Sequence, residues 1–363
     1  MKPSCCVWLL LCTAVPATLL QLGACAGPAY YAQAIAGHVK LMRSRVPVAD
    51  VLADPAADAQ LKERLRQSEQ ILKFARERLE LDSGGNYSQV AFTGQQAVTW
   101  NVVAAPEFSL EPRRWCFPVT GCVPYRGYFK QQSADTFARR LQDRSYDVMI
   151  SPAIAYSTLG WFEDPLVDTM FQYSEEQLAG IMFHELAHEK LYVKNDTEFS
   201  EAFASFVEET GVRLWLASIE DEARLKDQER RKIAAIQFDS MLQSTRQQLR
   251  LVYESEQADE TKRQNKSLLL DSLRRQYEDK VSKDWNGVSY FAGWMSGELN
   301  NAHLALMNSY EGGNCAFAAL YEQAGRDLHQ FYLLSIEKAA LESGQRKSWL
   351  EGACGELASA PGL

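Results

Sequence analysis

His184 and His188 stand four residues apart in the run Ile181-Met182-Phe183-His184-Glu185-Leu186-Ala187-His188. If this run is helical, four residues make about one turn, so both imidazoles point the same way. That separation suits a single tetrahedral zinc ion. Glu185, next to the first His, is placed so that its carboxylate reaches a water at the metal rather than the metal itself. The chain holds only 5 His among 363 residues, which makes a chance His-Glu-x-x-His run rare. A catalytic zinc takes three protein ligands and keeps one position open. No further His lies close by, which argues against a third imidazole. Glu201, in Ser200-Glu201-Ala202-Phe203-Ala204, is the best third ligand, because Ala202 and Ala204 allow two helices to approach closely. Glu208 lies two turns further on and faces roughly the same way. It is a candidate to hold one His from behind, or simply an exposed acid. A hydrolytic site also needs a donor for the developing oxyanion. Tyr290, His303 and Tyr310 are candidates, each equally able to serve as an internally hydrogen-bonded group. Glu107, Glu163 and Asp164 are acids that could hold a free α-amino group, although each reads first as an acid in an exposed turn.

These residues need helices to position them. The apolar spacing predicts a helix from Glu175 to about Tyr192, buried by Ile181, Met182, Phe183, Leu186 and Ala187. Asn195-Asp196-Thr197-Glu198 reads as a turn with a capping box that opens the next helix, which carries Glu201. Upstream, helices are expected from Tyr31 to Met42, stopping at Pro47, and from about Asp58 to Leu81, ended by Ser83-Gly84-Gly85-Asn86. Between Tyr87 and Ser157 the chain turns β-branched and aromatic. Ala97–Ala105, Tyr125–Phe129 and Tyr146–Ser151 are strand candidates, with a short helix from Ala134 to Asp143 between the last two. Downstream of Glu175 the chain is almost wholly helical. Glu220 to Lys283 reads as a long helical hairpin that breaks near Glu256–Glu260. The expected fold class is α+β, predominantly α-helical, with a small β-sheet and that hairpin.

The formal charge is −9 with no basic block, which excludes the clustered cations that nucleic-acid binding needs. Residues 1–24 read as the signal peptide of a lipoprotein: Lys2 is followed by an apolar stretch too short to span a membrane comfortably. Leu22-Gly23-Ala24-Cys25 resembles a bacterial lipobox, in which the Cys is acylated; a plain signal peptide cut nearby is the alternative. Lipid on Cys25 would anchor the protein to a membrane that the polypeptide does not cross. Ala26 leans towards the outer membrane. Residues 25–363 then form a single metallopeptidase domain in the cell envelope, facing the periplasm. Outside this segment the cysteines fall into two local sets, Cys116 with Cys122 and Cys315 with Cys354. An oxidising compartment favours pairing within each set, among three possible connectivities. Neither set has zinc-site spacing.

The two site helices resemble the gluzincin metallopeptidases, in which a glutamate on the following helix completes the metal site. The mature chain is also similar to a bacterial putative aminopeptidase family of lipoproteins. The resemblance is carried by Trp100–Glu107 (WNVVAAPE), Trp115-Cys116-Phe117-Pro118 with Gly121-Cys122, Tyr125–Phe129 (YRGYF), Ala155–Phe162 (AYSTLGWF) with Asp164-Pro165, the His184–His188 segment, and Asn300-Asn301-Ala302. These stretches span roughly residues 30 to 345. Ser200 departs from the Asn that relatives tend to carry before the glutamate. The resemblance implies that His184, His188 and Glu201 hold one Zn2+ and that Glu185 is the general base. It also implies an edge strand ahead of the zinc helix that aligns substrate, for which Tyr156–Pro165 is in the right place, although a packed loop would look the same. The implied function is a zinc-dependent peptidase acting on a peptide or protein substrate, by family label an aminopeptidase. An envelope endopeptidase or cell-wall peptide amidase using the same residues, or a non-catalytic adaptor lipoprotein, are the alternatives. Oligomeric state is not legible.

Overall fold

The computed structural model describes residues 27–117, 121–155, 163–306 and 313–358, with side chains up to 352. The expected signal segment and Cys25 therefore lie outside the described residues, as do Tyr310 and most of the Tyr156–Pro165 segment.

Pro28 opens α1 (Pro28–Arg43), where its missing N–H leaves no bond unmade. A three-residue strand β1 (Arg45–Pro47) and a short α2 (Val48–Ala53) lead to α3 (Ala59–Arg78). The Asp58 side chain caps α3 by accepting from the Leu61 N–H at 2.8 Å. Next come β2 (Gln89–Ala91), β3 (Thr99–Pro106), β4 (Trp115–Phe117), β5 (Gly121–Val123), β6 (Tyr125–Tyr128), α4 (Gln131–Gln142), β7 (Tyr146–Ala153) and β8 (Leu166–Val167). A 3₁₀ turn, Asp168–Gln172, then precedes α5 (Glu175–Lys190) and α6 (Thr197–Ser218). The hairpin is α7 (Glu222–Glu254) and α8 (Asp259–Lys283); α9 (Asn301–Ala305), α10 (Asn314–Gln323), α11 (Leu328–Ala339) and α12 (Ser343–Ala358) complete the order. The fold is α+β and predominantly helical. Among the described residues, no helix is long and apolar enough to cross a membrane.

The sheet structure is split three ways. β3 is central in an antiparallel sheet of order β6-β3-β7, in register from Trp100↔Tyr128 to Val103↔Tyr125 on one side and from Thr99↔Ala153 to Pro106↔Tyr146 on the other. Both of its faces are covered, which is why Val102-Val103-Ala104-Ala105 is an unbroken apolar run rather than an alternating one. One face packs on Ala134, Ala138 and Leu141 of α4. β1, β2 and β8 form a second sheet, and β4 pairs with β5 in a hairpin whose opposed residues Cys116 and Cys122 form a disulfide. Cys315 is also disulfide-bonded, and the Cys354 side chain lies outside the described residues.

The site helices sit in the largest apolar cluster. α5 is buried on most of its surface, through Leu178, Met182, Phe183, Leu186 and Ala187, and it packs along α6. Ser174 and Gln177 form a capping box at its start. The cap of α6 corrects the sequence reading by one residue. Asn195 has a left-handed φ of 65° and makes the turn, while Asp196 is the N-cap and accepts from Phe199 N–H at 3.2 Å. Glu198 therefore falls one position short of closing a capping box. The hairpin has its own core, built on Phe238, Leu242, Leu249 and Leu273.

Candidate metal centre

α5 delivers His184 and His188 from adjacent turns, and α6 brings Glu201 across from the facing helix. His184 Nε2 lies 3.2 Å from His188 Nε2 and 3.3 Å from Glu201 Oε2, and His188 Nε2 lies 3.6 Å from Glu201 Oε1. This is the one His/Cys/Asp/Glu group among the described residues that could hold a metal ion. Ligands of a tetrahedral ion with bonds near 2.1 Å stand about 3.4 Å apart, so the three separations already match one face of such a tetrahedron. Two imidazoles and a carboxylate suit zinc and other divalent first-row ions.

The electrostatics fit a set of acceptors gathered for a cation. Burial opposes charge on His184, but hydrogen bonds to Glu201 and Glu208 outweigh it and raise the imidazole to about 10. Burial, and then charged His184, depress His188 to about 4. Burial alone would raise Glu201; the two histidines pull it below the usual carboxylate range.

Glu208 supports His184 from behind: its Oε2 is 3.0 Å from Nδ1, which leaves Nε2 for the cluster. Gly180 makes room for this carboxylate, since a Cβ there would lie 3.0 Å from Glu208 Oε1. Among the described residues His188 has no equivalent support, and its buried Nδ1 finds no hydrogen-bond partner there. Ser200 donates to Asp196 O at 2.9 Å and accepts from Val193 N–H at 3.1 Å, tying the α5–α6 turn.

Glu185 is turned about 100° from His184 around α5. It is half-buried and acts electrostatically on Tyr87, Tyr125 and Glu189. Burial, then Asp164 and Glu185, push Glu189 up to about 7. The loop Gly84–Tyr87 wraps this flank: Asn86 Nδ2 donates to Glu189 and the Tyr87 N–H donates to Asp164 O at 2.8 Å. Of the three acids considered for an α-amino group, Asp164 acts on Glu189 of this flank. Glu107 is bound to Arg263 at 2.6 Å on the hairpin, and the Glu163 side chain rests over Gly85.

Two of the expected oxyanion donors are elsewhere. Tyr290 packs on Trp285 and Phe291, and His303 on Trp294 and Asn300, all in or beside the hairpin cluster. Their residue types suited the chemistry, but the apolar hairpin core claims their rings. The phenols that do reach the cluster are Tyr125 and Tyr192. Burial and then Glu201 raise both of them, Glu185 adds to Tyr125, and the Tyr192 ring stands edge-on to His188 with centroids 6.0 Å apart. Tyr192 continues the four-residue spacing of His184 and His188, a signal present in the sequence. Tyr125 lies on a four-residue strand far from the zinc helix in sequence, and no local pattern marks it.

A model of the family described as "Putative aminopeptidase" matches residues 29–350 of the chain. No curated protein and no solved structure gave a match.

Proposed function

The chain belongs to the putative aminopeptidase family, and on that premise we propose that it is a zinc-dependent aminopeptidase. The observation that carries the zinc reading is the convergence of His184 Nε2, His188 Nε2 and Glu201 at tetrahedral spacing, with Glu208 fixing the His184 ring. A zinc ion held there supplies Lewis-acid polarisation of a carbonyl and makes water more acidic.

The remaining chemistry belongs to the chain. Glu185 takes a proton from the attacking water as the new C–O bond forms. It returns that proton to the amine nitrogen as the C–N bond breaks. It is half-buried on α5, on the flank it shares with Glu189. Tyr125 and Tyr192, close to Glu201, are placed to donate to oxygen charge that develops beside the metal ligands. The acidic flank of Asp164 and Glu189 suits a substrate ammonium.

The lipobox-like Leu22–Cys25 supports placing the enzyme at the cell envelope, anchored through lipid on Cys25 and facing the periplasm from the outer membrane. Mass measurement of the mature N-terminus checks the anchor, and an unacylated N-terminus counts against it.

The function is tested by metal analysis of the purified protein and by turnover of aminoacyl and N-blocked peptide substrates, comparing wild type with Glu185→Gln. Stoichiometric zinc, with free-amine turnover that the variant loses by about 10²–10⁴-fold, is the expected result. Turnover of blocked peptides alone moves the reading to an endopeptidase. A protein that takes up no metal and cleaves nothing overturns it.

A further inference from the structure

β6 is the outer strand of its sheet, so one side of its backbone is not paired with β3. Unpaired edge groups must be satisfied by water, by another element or by a ligand. On this edge α1 supplies the partner. The Gln33 side chain donates from Nε2 to Gly127 O at 3.4 Å and accepts at Oε1 from Phe129 N–H at 3.3 Å. One carboxamide thus binds two successive outward groups of the strand, as a peptide unit of an added strand would. α1 is held in place around this contact. Tyr30 stacks on Phe117 with centroids 5.5 Å apart and lies under the Arg126 guanidinium at 4.0 Å. Gly37 lets the helix press onto Phe129, where a Cβ would come within 2.1 Å of the ring.

The same strand runs into the candidate centre at its other end. Tyr125 is the first residue of β6, and its phenol feels Glu201 and Glu185. Gly121 of β5, just ahead of Tyr125, stands against Asn195 of the α5–α6 turn, which sets this end of the edge beside the ligand helices; the cap begins two residues beyond Tyr125, about 7 Å along the strand. An extended peptide that pairs with this edge gains main-chain hydrogen bonds, but only until it meets Gln33.

We infer that α1, through Gln33, is a barrier on the substrate strand that limits how many residues can lie upstream of the scissile bond. The inference rests on the peptidase reading above and adds its specificity determinant. Direction follows from strand geometry. Antiparallel pairing is the commoner and more stable arrangement. A peptide antiparallel to β6 runs from the Phe129 side towards Tyr125, so the blocked side holds residues N-terminal to the cleaved bond. About one or two residues fit before the cap. A substrate must then present a chain end there, which makes the site an aminopeptidase by exclusion. A peptide parallel to β6 would place the barrier downstream, and the enzyme would trim from the C-terminus.

The test compares kcat/KM for two substrates that share one scissile bond. One has a single free-amino residue before that bond, the other four further residues upstream. The expected result is strong preference for the first in wild type, and a rise of tenfold or more in the extended-to-single ratio in Gln33→Ala. Gln33→Asn, whose shorter arm cannot span both strand groups, moves the ratio the same way. Because a ratio is read on one protein, a partly misfolded fraction cancels. A ratio unchanged in an active Gln33→Ala overturns the inference and leaves the peptidase reading intact. Trimming from the C-terminus overturns the direction. A wild type that takes up no metal and cleaves neither substrate overturns the peptidase reading and this inference with it.

Discussion

At the scale of single residues, the two ligand histidines are supported unequally. His184 is oriented by Glu208, whereas His188 has no partner at Nδ1 among the described residues. Carboxylates behind a ligand His are worth roughly 10–100-fold in metal affinity. Glu208→Ala is therefore expected to weaken zinc binding by that factor in a chelator competition, and unchanged affinity would show that His184 needs no support. Gly180→Ala should act in the same direction but less strongly, because its methyl displaces the Glu208 carboxylate without deleting it. That His184, His188 and Glu201 come together was legible because the determinants are local. Helical spacing fixes His184 against His188, and Glu201 sits on the next amphipathic run. Which phenols lie near that cluster was not, because the candidates were chosen by residue type. Type says that Tyr290 and His303 can donate, but only tertiary packing says that the hairpin core takes them and that Tyr125, across a sheet edge, faces the ligands.

At the scale of elements, Asp196 holds two helices by one carboxylate. It caps α6 just before Glu201 and pairs with Arg346 of α12 at 2.7 Å, both side chains being largely buried. Loss of a cap costs about 1 kcal/mol, and a buried cation left unpaired costs about 3–5 kcal/mol. Asp196→Ala should thus lose about 4 kcal/mol in urea unfolding. Asp196→Asn, which keeps the cap but not the charge, should lose about 1 kcal/mol less, and equal losses would show that the cap is idle. The disulfide acts on the β4–β5 hairpin, which leads into Tyr125 and whose Gly121 stands beside Asn195 of the α5–α6 turn. Its loop is short, so removing Cys116 and Cys122 together should lower stability by only about 2 kcal/mol. Peptide turnover should fall more than this stability loss implies, because Tyr125 loses its fixed wall; turnover within twofold of wild type would sink that idea. Element legibility followed length. The long helices, the hairpin break and the sheet around β3 could be read from periodicity. β1, β2, β4, β5 and β8 are two or three residues long, too short for any alternation to register. The Asn195–Glu198 cap was misplaced by one residue because either Asn or Asp can cap, and only the left-handed Asn195 decides between them.

At the scale of the whole molecule, the ligands and the hairpin belong to different apolar cores, and the hairpin meets the β3 sheet at a polar node. Asn301 is fully buried there. Its side chain donates to Pro106 O at 3.2 Å and Glu107 O at 2.9 Å and accepts from the Tyr253 hydroxyl at 2.7 Å, while its N–H donates to Asp147 Oδ2 at 2.8 Å. Helix α9, the end of strand β3 and the end of α7 thus meet on one side chain, and Lys266 of α8 pairs with Asp147 beside it. Asn301→Ala leaves several buried groups unsatisfied at about 1–3 kcal/mol each, not fully additive, so a total near 3 kcal/mol is expected. The loss should be local, because the metal ligands are held by the α5–α6 core, which the node does not touch. Amide exchange should quicken in α8 and at the end of β3, while zinc affinity stays within about twofold. Zinc removal should do the reverse, since a ligand that binds only the folded state stabilises the core that holds it: exchange should quicken in α5 and α6 and leave α7 and α8 protected. If either change spreads to both halves, the two cores unfold as one unit and the hairpin is part of the catalytic scaffold rather than an attachment to it.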